Sequence, residues 1–349
     1  MTGIFGAMIR KEALHIVRDR RTMLITLFMP IVLLLLFGFA ISTEVNSVRV
    51  VAVVDVQTDQ TRELLSRLGS NEYFRFYGVV SMAEAEPMLR RGATDAAVMI
   101  RHDHGRPMAQ IMVDASNTPV AKTMTAYLTS VVAGSQGSKM TAHTLFNPQM
   151  RSAYNFVPGI MGMIFILVCA IMTSVSIVSE KESGTMDLLL VSPVRPSTII
   201  FGKLVPYFIL SAVMLAVMLA MAYGVLGIPL SATLTSVVAV SLLYIILSLS
   251  IGLLVSTLAS TQVSALIISA ILFMLPVILL SGMIFPIDNM PAPLQWLSCA
   301  IPARWYTQAM RTLMIQQSGA GYVVTEVTVL AAMTVAVLTA AILKFKNTR

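Results

Sequence analysis

Ser179-Glu180-Lys181-Glu182-Ser183-Gly184-Thr185-Met186-Asp187-Leu188-Leu189-Leu190-Val191-Ser192-Pro193-Val194-Arg195-Pro196 is a polar, charged stretch set between two long apolar runs. The chain turns apolar again through Gly202-Lys203-Leu204-Val205-Pro206-Tyr207. A hairpin between two membrane helices needs only a few residues, and the loop over 179–203 is much longer. Inside it, Met186, Leu189 and Leu190 form an apolar patch at helical spacing, closed by Pro193. Such a patch suits docking onto a partner. The bland reading is that these residues pack on the chain's own helix ends.

The apolar runs on either side decide the class. The chain has 349 residues, is 56% hydrophobic and 12% charged, with a mean hydropathy of +0.81. Soluble domains carry about twice that charged fraction. Several runs reach the roughly 20 residues that a helix needs to cross the hydrocarbon core. Their continuous apolar character excludes a β-barrel, whose strands alternate. The sequence therefore predicts an α-helical polytopic membrane protein. Its net charge of +7 reads as an excess of Lys and Arg on one membrane side rather than a nucleic-acid surface. The two cysteines, Cys169 and Cys299, make no disulfide framework.

Six transmembrane helices are expected, near 23–42, 156–178, 204–226, 232–257, 263–284 and 323–344. Basic residues collect in the N-terminal arm (Arg10, Lys11, Arg18, Arg20, Arg21), in the loop (Lys181, Arg195, Lys203) and in the tail (Lys344, Lys346, Arg349). With six spans all three segments share one side, which the positive-inside rule makes cytoplasmic, both termini included. The first span is longer than a signal-peptide core and reads as a retained anchor. Residues 1–22 form an expected amphipathic helix, with Phe5, Met8, Ile9, Ala13, Ile16 and Val17 on one face. It suits the inner membrane surface, or else simply extends the first span.

Residues 43–155 form an α/β domain inserted between the first two spans, outside the cytoplasm. Val48–Val56 is β-branched and apolar, a buried strand. A helix over 61–68, a strand over 73–80, a Ser81/Glu84 capping box opening a further helix, strands at 96–101 and 108–114, and a helix from about 119 to 145 complete a β-α-β-α-β-β-α order. His102, Asp103 and His104 fall in the turn between the last two strands. That turn is punctuated by Gly105 and Pro107, and reads as solvated rather than as a metal site.

Several absences narrow the function. No Gly-x-x-x-x-Gly-Lys-Ser/Thr loop is present, so the chain has no phosphate cradle of its own. The middles of the last five spans are nearly free of ionisable residues, where ion-coupled carriers keep their relays. Energy for transport would then enter from another polypeptide, and the 179–203 loop is the natural place to receive it. No catalytic Ser-His-Asp or Cys-His constellation stands out.

Four blocks resemble the ABC transporter permeases of the type-2 exporter family, closest to the multidrug or antibiotic-exporter subgroup. The first is Lys11-Glu12, Arg18-Asp19-Arg20-Arg21, Pro30 and Phe37-Gly38. The second is the loop, with Glu180, Glu182, Gly184, Thr185, Leu189, Pro193 and Gly202-Lys203. The third is Ser281-Gly282-Met283-Ile284-Phe285-Pro286, Met290-Pro291, Trp296, Ile301-Pro302 and Arg311. The fourth is architectural: one span, a large outer domain, then five spans.

The resemblance implies a permease subunit in a bacterial inner membrane, paired with a second permease, identical or similar. It docks on a cytoplasmic ABC ATPase that carries the ATP and Mg; this chain binds no cofactor. The implied ATPase contacts are Glu180, Lys181, Glu182, Gly184, Thr185, Met186, Leu189, Leu190, Pro193 and Arg195. From the interfacial helix they are Phe5, Ile9, Lys11, Glu12, Arg18 and Asp19. Residues 285–306 resemble short helices re-entering the outer leaflet, with Gly282, Phe285, Pro286, Pro302, Arg304 and Arg311 in the exit region. Arg304 and Arg311 either meet lipid or substrate anions or snorkel to the interface. A periplasmic adaptor is a further implied partner in a two-membrane bacterium. An exporter of amphiphiles is the leading expectation. A non-transporting sensor or assembly factor with a ligand-binding outer domain is the alternative.

Overall fold

The computed structural model describes residues 2–40, 48–71, 73–91, 93–103, 106–113, 118–133, 152–186, 196–230, 233–287 and 290–347. The chain divides into two compact units, residues 42–151 and residues 1–41 together with 152–349.

The smaller unit is a three-layer α/β fold. Strands β1 (Val48–Val54), β2 (Phe74–Val79), β3 (Ala96–Asp103) and β4 (Arg106–Val113) form one sheet in the order β2-β1-β3-β4. β1 runs parallel to β2 and β3, and β3 pairs antiparallel with β4. Helices α3 (Asp59–Gly69) and α4 (Met82–Arg90) are the crossovers, and α5 (Thr118–Ala133) follows β4. The chain steps one way across the sheet from β1 to β2 and the other way from β2 to β3, so right-handed crossovers put α3 and α4 on opposite faces. Alternation along β1 serves both: Val48 and Val50 pack with Leu64, Leu68, Met124 and Leu128, while Val51 packs with Ala85 and Ala97. The register slips between Val50–Phe76 and Ala52–Val79. Gly78, at φ 102°, takes the conformation that such a bulge requires. The Ser81/Glu84 capping box forms at the start of α4. The β3–β4 hairpin is longer than the sequence suggested. His102 pairs with Pro107 and Asp103 with Arg106 as ladder residues, because strand pairing continues to the tip of the hairpin and draws in residues whose own preferences favour a turn. His104 and residues 134–145 of the expected long helix lie outside the described residues.

The larger unit is helical: α1 (Thr2–Arg18), α2 (Arg20–Ala40), α6 (Ser152–Glu182), α7 (Pro196–Gly224), α8 (Leu234–Ser256), α9 (Gln262–Leu280), α10 (Ala292–Cys299), α11 (Pro302–Met310), a π-helical turn (Arg311–Ile315), a 3-10 turn (Ala320–Val323) and α12 (Val324–Asn347). Among the described residues five helical segments are long and apolar enough to cross a membrane: Phe156–Glu182, Thr198–Gly224, Leu234–Ser256, Gln262–Leu280 and Ala320–Lys344. Within α2 the shorter apolar segment is Thr26–Phe37. The first of the long segments spans 27 residues. That is a rise of about 40 Å, against a hydrocarbon core of about 30 Å. Its charged last turn is therefore length in excess of the core.

α6 is the hub. It packs against α2, α7, α8, α9 and α11, and 72% of its apolar window is buried, against 22% for α9 and for α12. In a membrane, helices associate through close packing and small polar contacts, since lipid is as apolar as leucine. Both devices occur. Thr26 Oγ1 donates to Met172 Sδ at 3.5 Å, Cys169 Sγ lies 3.3 Å from Ser211 Oγ, and Ser174 Oγ lies 3.2 Å from Ser269 Oγ. A Cβ on Gly252 of α8 would sit 2.6 Å from the Ala170 carbonyl oxygen of α6. One on Gly162 would sit 2.8 Å from Tyr306 Cδ1. Tyr306 stacks on Tyr244 with centroids 4.3 Å apart and meets Phe165 edge-on. Tyr244 Oη donates to the Gly162 carbonyl at 3.0 Å, and Tyr306 Oη lies 3.1 Å from Ser241 Oγ. These contacts seat α11 between α6 and α8.

Gly252→Ala is expected to destabilise the purified protein by about 1–3 kcal/mol, since the obstacle is backbone and cannot move aside. Gly6→Ala meets nothing within 4 Å, and should leave the thermal midpoint in detergent unchanged or slightly raised. Equal midpoints for the two variants would refute the close-packing argument.

Candidate functional site at the charged end of the bundle

Three consecutive charges close α6 and fan out to different neighbours. Glu180 accepts from Lys11 Nζ of α1 at 2.6 Å and makes an ion contact with Lys203 Nζ of α7 at 2.8 Å. Lys181 donates to the Ser256 carbonyl that ends α8. Glu182 accepts from Gln262 Nε2, at the start of α9, at 2.7 Å. The pattern suits the helix dipoles, a cation at a C-terminus and an anion at an N-terminus. α6 then stops at Gly184, whose φ of 70° satisfies the left-handed position after a helix end. Its N–H donates to the Lys181 carbonyl at 3.1 Å. Ser183 and Thr185 hydroxyls both donate to the Glu180 carbonyl at 3.3 Å.

Glu12 completes a four-charge cluster. Its Oε1 lies 3.4 Å from Lys203 Nζ and 3.7 Å from Lys11 Nζ. The Lys203 side chain is 3% exposed, that of Glu12 5% and that of Glu180 12%, while that of Lys11 is 60% exposed. Two carboxylates and two ammonium groups thus neutralise each other where water is largely absent, the condition for tolerating buried charge. Burial opposes the charge on Lys11, but Glu180 and Glu12 more than offset it and raise its pKa above the ordinary lysine value. A raised lysine pKa contributes stability that is complete below the unfolded value. It is lost as pH rises through the folded one, so this contribution is constant around neutrality.

α1 is held close to α7: the Met8 side chain stands 3.2 Å from where a Cβ on Gly202 would be. α1 passes into α2 at Asp19 without a loop, as Asp19 N–H donates to His15 O and Met23 N–H to Asp19 O. A displacement of the 180–186 end can therefore reach α2 through α1.

The residues singled out from sequence fall into distinct places. Lys11, Glu12 and Glu180 come together with Lys203, which the sequence placed among the loop's basic residues and in the second block of the resemblance. Met186 is turned inward and buried with Ile177, Ile200, Leu253 and Ala341. Phe5 and Ile9 are half-buried, and Arg18 and Asp19 are exposed. Leu189, Leu190, Pro193 and Arg195 lie outside the described residues.

At the other end of the bundle, Gly282 (φ 77°) begins the turn after α9, and Phe285 and Pro286 are exposed. Pro302 opens α11 at the position where its missing N–H costs nothing. Arg304 Nη1 donates to the Gln295 carbonyl at 3.0 Å and the Ser298 hydroxyl at 2.6 Å, and lies 3.0 Å from Cys299 Sγ, crowning the C-terminus of α10. Arg311 Nη2 donates to the Gly282 carbonyl at 2.8 Å. Glu326, in the first turn of α12, is buried. It escaped the sequence reading because it stands at a span's edge.

Residues 20–343 match the family described as "ABC-2 family transporter protein". The chain is similar to the probable multidrug ABC transporter permease YbhR of Escherichia coli K12, 27% identical over 330 residues, 89% of each chain. It is similar to YbhS of the same strain, also named a probable multidrug ABC transporter permease, at 26% over 328 residues, covering 87% of this chain and 86% of the relative. The inner membrane transport permease YhhJ is 24% identical over 260 residues, 70% and 68% of the two chains.

Removing one member of the charge cluster should leave its partner buried and unpaired. Glu180→Gln is expected to cost about 3–5 kcal/mol. Combined with Lys203→Met, the loss should be smaller than the sum of the two single losses, by about 0.5–3 kcal/mol. Additive losses in thermal or denaturant unfolding would show that the two charges do not interact.

Proposed function

Since the chain belongs to the ABC-2 family of transporter proteins, we propose that it is the membrane-spanning permease subunit of an ATP-driven exporter. It moves an amphiphilic substrate, a drug, a lipid or a similar molecule, outward. ATP is hydrolysed on a separate nucleotide-binding subunit that carries the Mg, and this chain is not itself an enzyme. The names of its relatives, multidrug and inner membrane transport permeases, support that role and a place in a bacterial inner membrane.

The observation that carries the reading is the Lys11–Glu12–Glu180–Lys203 cluster. It joins α1, α6 and α7 through Glu180 and Lys203, both within the 179–203 loop proposed as the ATPase dock. A push on that segment meets a buried ionic joint, not a flexible loop, and is passed to α1 and on into α2. In this reading α2 is the first of six spans, both termini and the 179–203 loop face the cytoplasm, and residues 42–151 lie outside it. Two permease subunits, identical or similar, enclose the pathway, and the outer unit is the surface offered to a periplasmic adaptor.

The test is a mild-detergent pull-down of the tagged chain from its native membrane, with ATPase activity measured in the eluate. Wild type should retain a stoichiometric nucleotide-binding partner. Leu189→Asp with Leu190→Asp should lose it while the permease still elutes as a single symmetric peak. An eluate free of ATPase, from wild-type protein that is well folded, would overturn the reading.

A further inference from the structure

Arg311 opens the π-helical turn, a rare backbone form that concentrates at functional sites. A guanidinium has five N–H donors. One of these, on Nη2, reaches the Gly282 carbonyl at 2.8 Å. The Nε of the same group is buried and has no acceptor. An ionised donor left this way costs more than a neutral one and calls for a counter-charge.

Among the described residues no carboxylate pairs with it. The π-turn packs against α6, α8, α11 and the 3-10 turn. α8, α11 and the 3-10 turn contain no Asp or Glu, and those of α6 are Glu180 and Glu182, at its opposite end. Glu326 on α12 is the acid at this end among the described residues, and no ion pair joins it to Arg311. Its Oε2 is buried and has no hydrogen-bond partner. Arg304 lies about two helical turns before Arg311, on the same face. It too has a buried Nε with no acceptor. This end of the bundle therefore holds two guanidinium groups in no ion pair among the described residues.

The half-buried Arg311 is tied to a segment with exposed apolar side chains. Its acceptor, Gly282, leads directly into Ile284 and Phe285, which are 43% and 55% exposed. On α10, against which Arg304 is seated, Leu294, Trp296 and Leu297 are exposed as well. A cation with spare donors beside exposed apolar side chains matches a molecule with an anionic oxygen-bearing head and a hydrocarbon tail. Planar, forked donors favour phosphate or carboxylate over a point-charge partner.

We infer that Arg311 is the head-group site for an anionic amphiphile at the end of the bundle opposite the charge cluster, with Ile284 and Phe285 beside its tail. The inference rests on the membrane-permease reading and names a substrate or lipid class for it. The shared chemistry is an oxyanion on an acyl or alkyl chain. Its source is either a resident membrane lipid or a molecule in transit.

The full chain, in nanodiscs of phosphatidylcholine, carries two tryptophans, Trp296 and Trp305, which report on nearby brominated chains. Dibrominated phosphatidylglycerol should quench wild type at a concentration at least fivefold lower than dibrominated phosphatidylcholine. Arg311→Gln, which can still donate to the Gly282 carbonyl, should bring that ratio close to one. Arg311→Lys, which keeps the charge without the fork, should keep part of it. Dodecyl phosphate added from water then separates the sources. Relief of quenching in wild type marks a site open to molecules in transit, and persistence of quenching marks a resident lipid; both sustain the site. No preference in wild type overturns the inference whether or not any variant folds, and so does a preference undiminished in a well-folded Arg311→Gln. Neither result touches the ATPase pull-down, so failure here leaves the exporter reading standing.

Discussion

The close approach of α8 to α6 at Gly252 is the constraint from which the helical unit follows. Hydrocarbon offers neither water for backbone groups nor a hydrophobic force between helices, so the bundle holds by contact alone. With no side chain at Gly252, the Ala170 carbonyl of α6 comes within 2.6 Å of where a Cβ would be. That distance draws Tyr244 toward Gly162, and Tyr306 can then stack on Tyr244. α11 is seated by that stack. The polar contacts of α6, through Met172, Cys169 and Ser174, then hold α2, α7 and α9 around the same helix.

The two ends of this hub carry charge under opposite rules. At the Glu180 end two acids and two bases are gathered from α1, α6 and α7, and they neutralise one another while largely buried. Such a joint is stiff, because opening any pair strands a charge in a poorly hydrated site. It is suited to passing on force. At the Arg311 end the charges are not gathered. A guanidinium keeps unused donors beside exposed apolar side chains, an arrangement suited to receiving a ligand. The exporter proposed above would use both properties, and the long axis of α6 separates them.

Much of this was legible beforehand. The apolar runs announced the long helices, since a helix is the cheapest way to pair every backbone group in lipid. The β-branched, apolar run Val48–Val56 and the Ser81/Glu84 pair foretold strand and cap in the smaller unit, because both are local effects. Other features were not legible. Pairing with β4 extends β3 to Asp103, which its own residue preferences do not foretell. Spacing alone left Met186 open between docking on a partner and packing on the chain's own helix ends. It is buried because Ile200, Leu253 and Ala341, distant in sequence, converge on it.

What the sequence by itself determined is composition and periodicity: which segments are long and apolar, and that no phosphate loop is present. These depend on neighbours a few residues apart, which any linear reading can see. Only the tertiary structure decided which charges meet. Glu12, Glu180 and Lys203 stand far apart in sequence and become one joint through helix packing. Arg311 becomes a cation with spare donors through what does not pack against it. Electrostatic partnership is a property of distance and burial, and neither is encoded at the scale of local sequence.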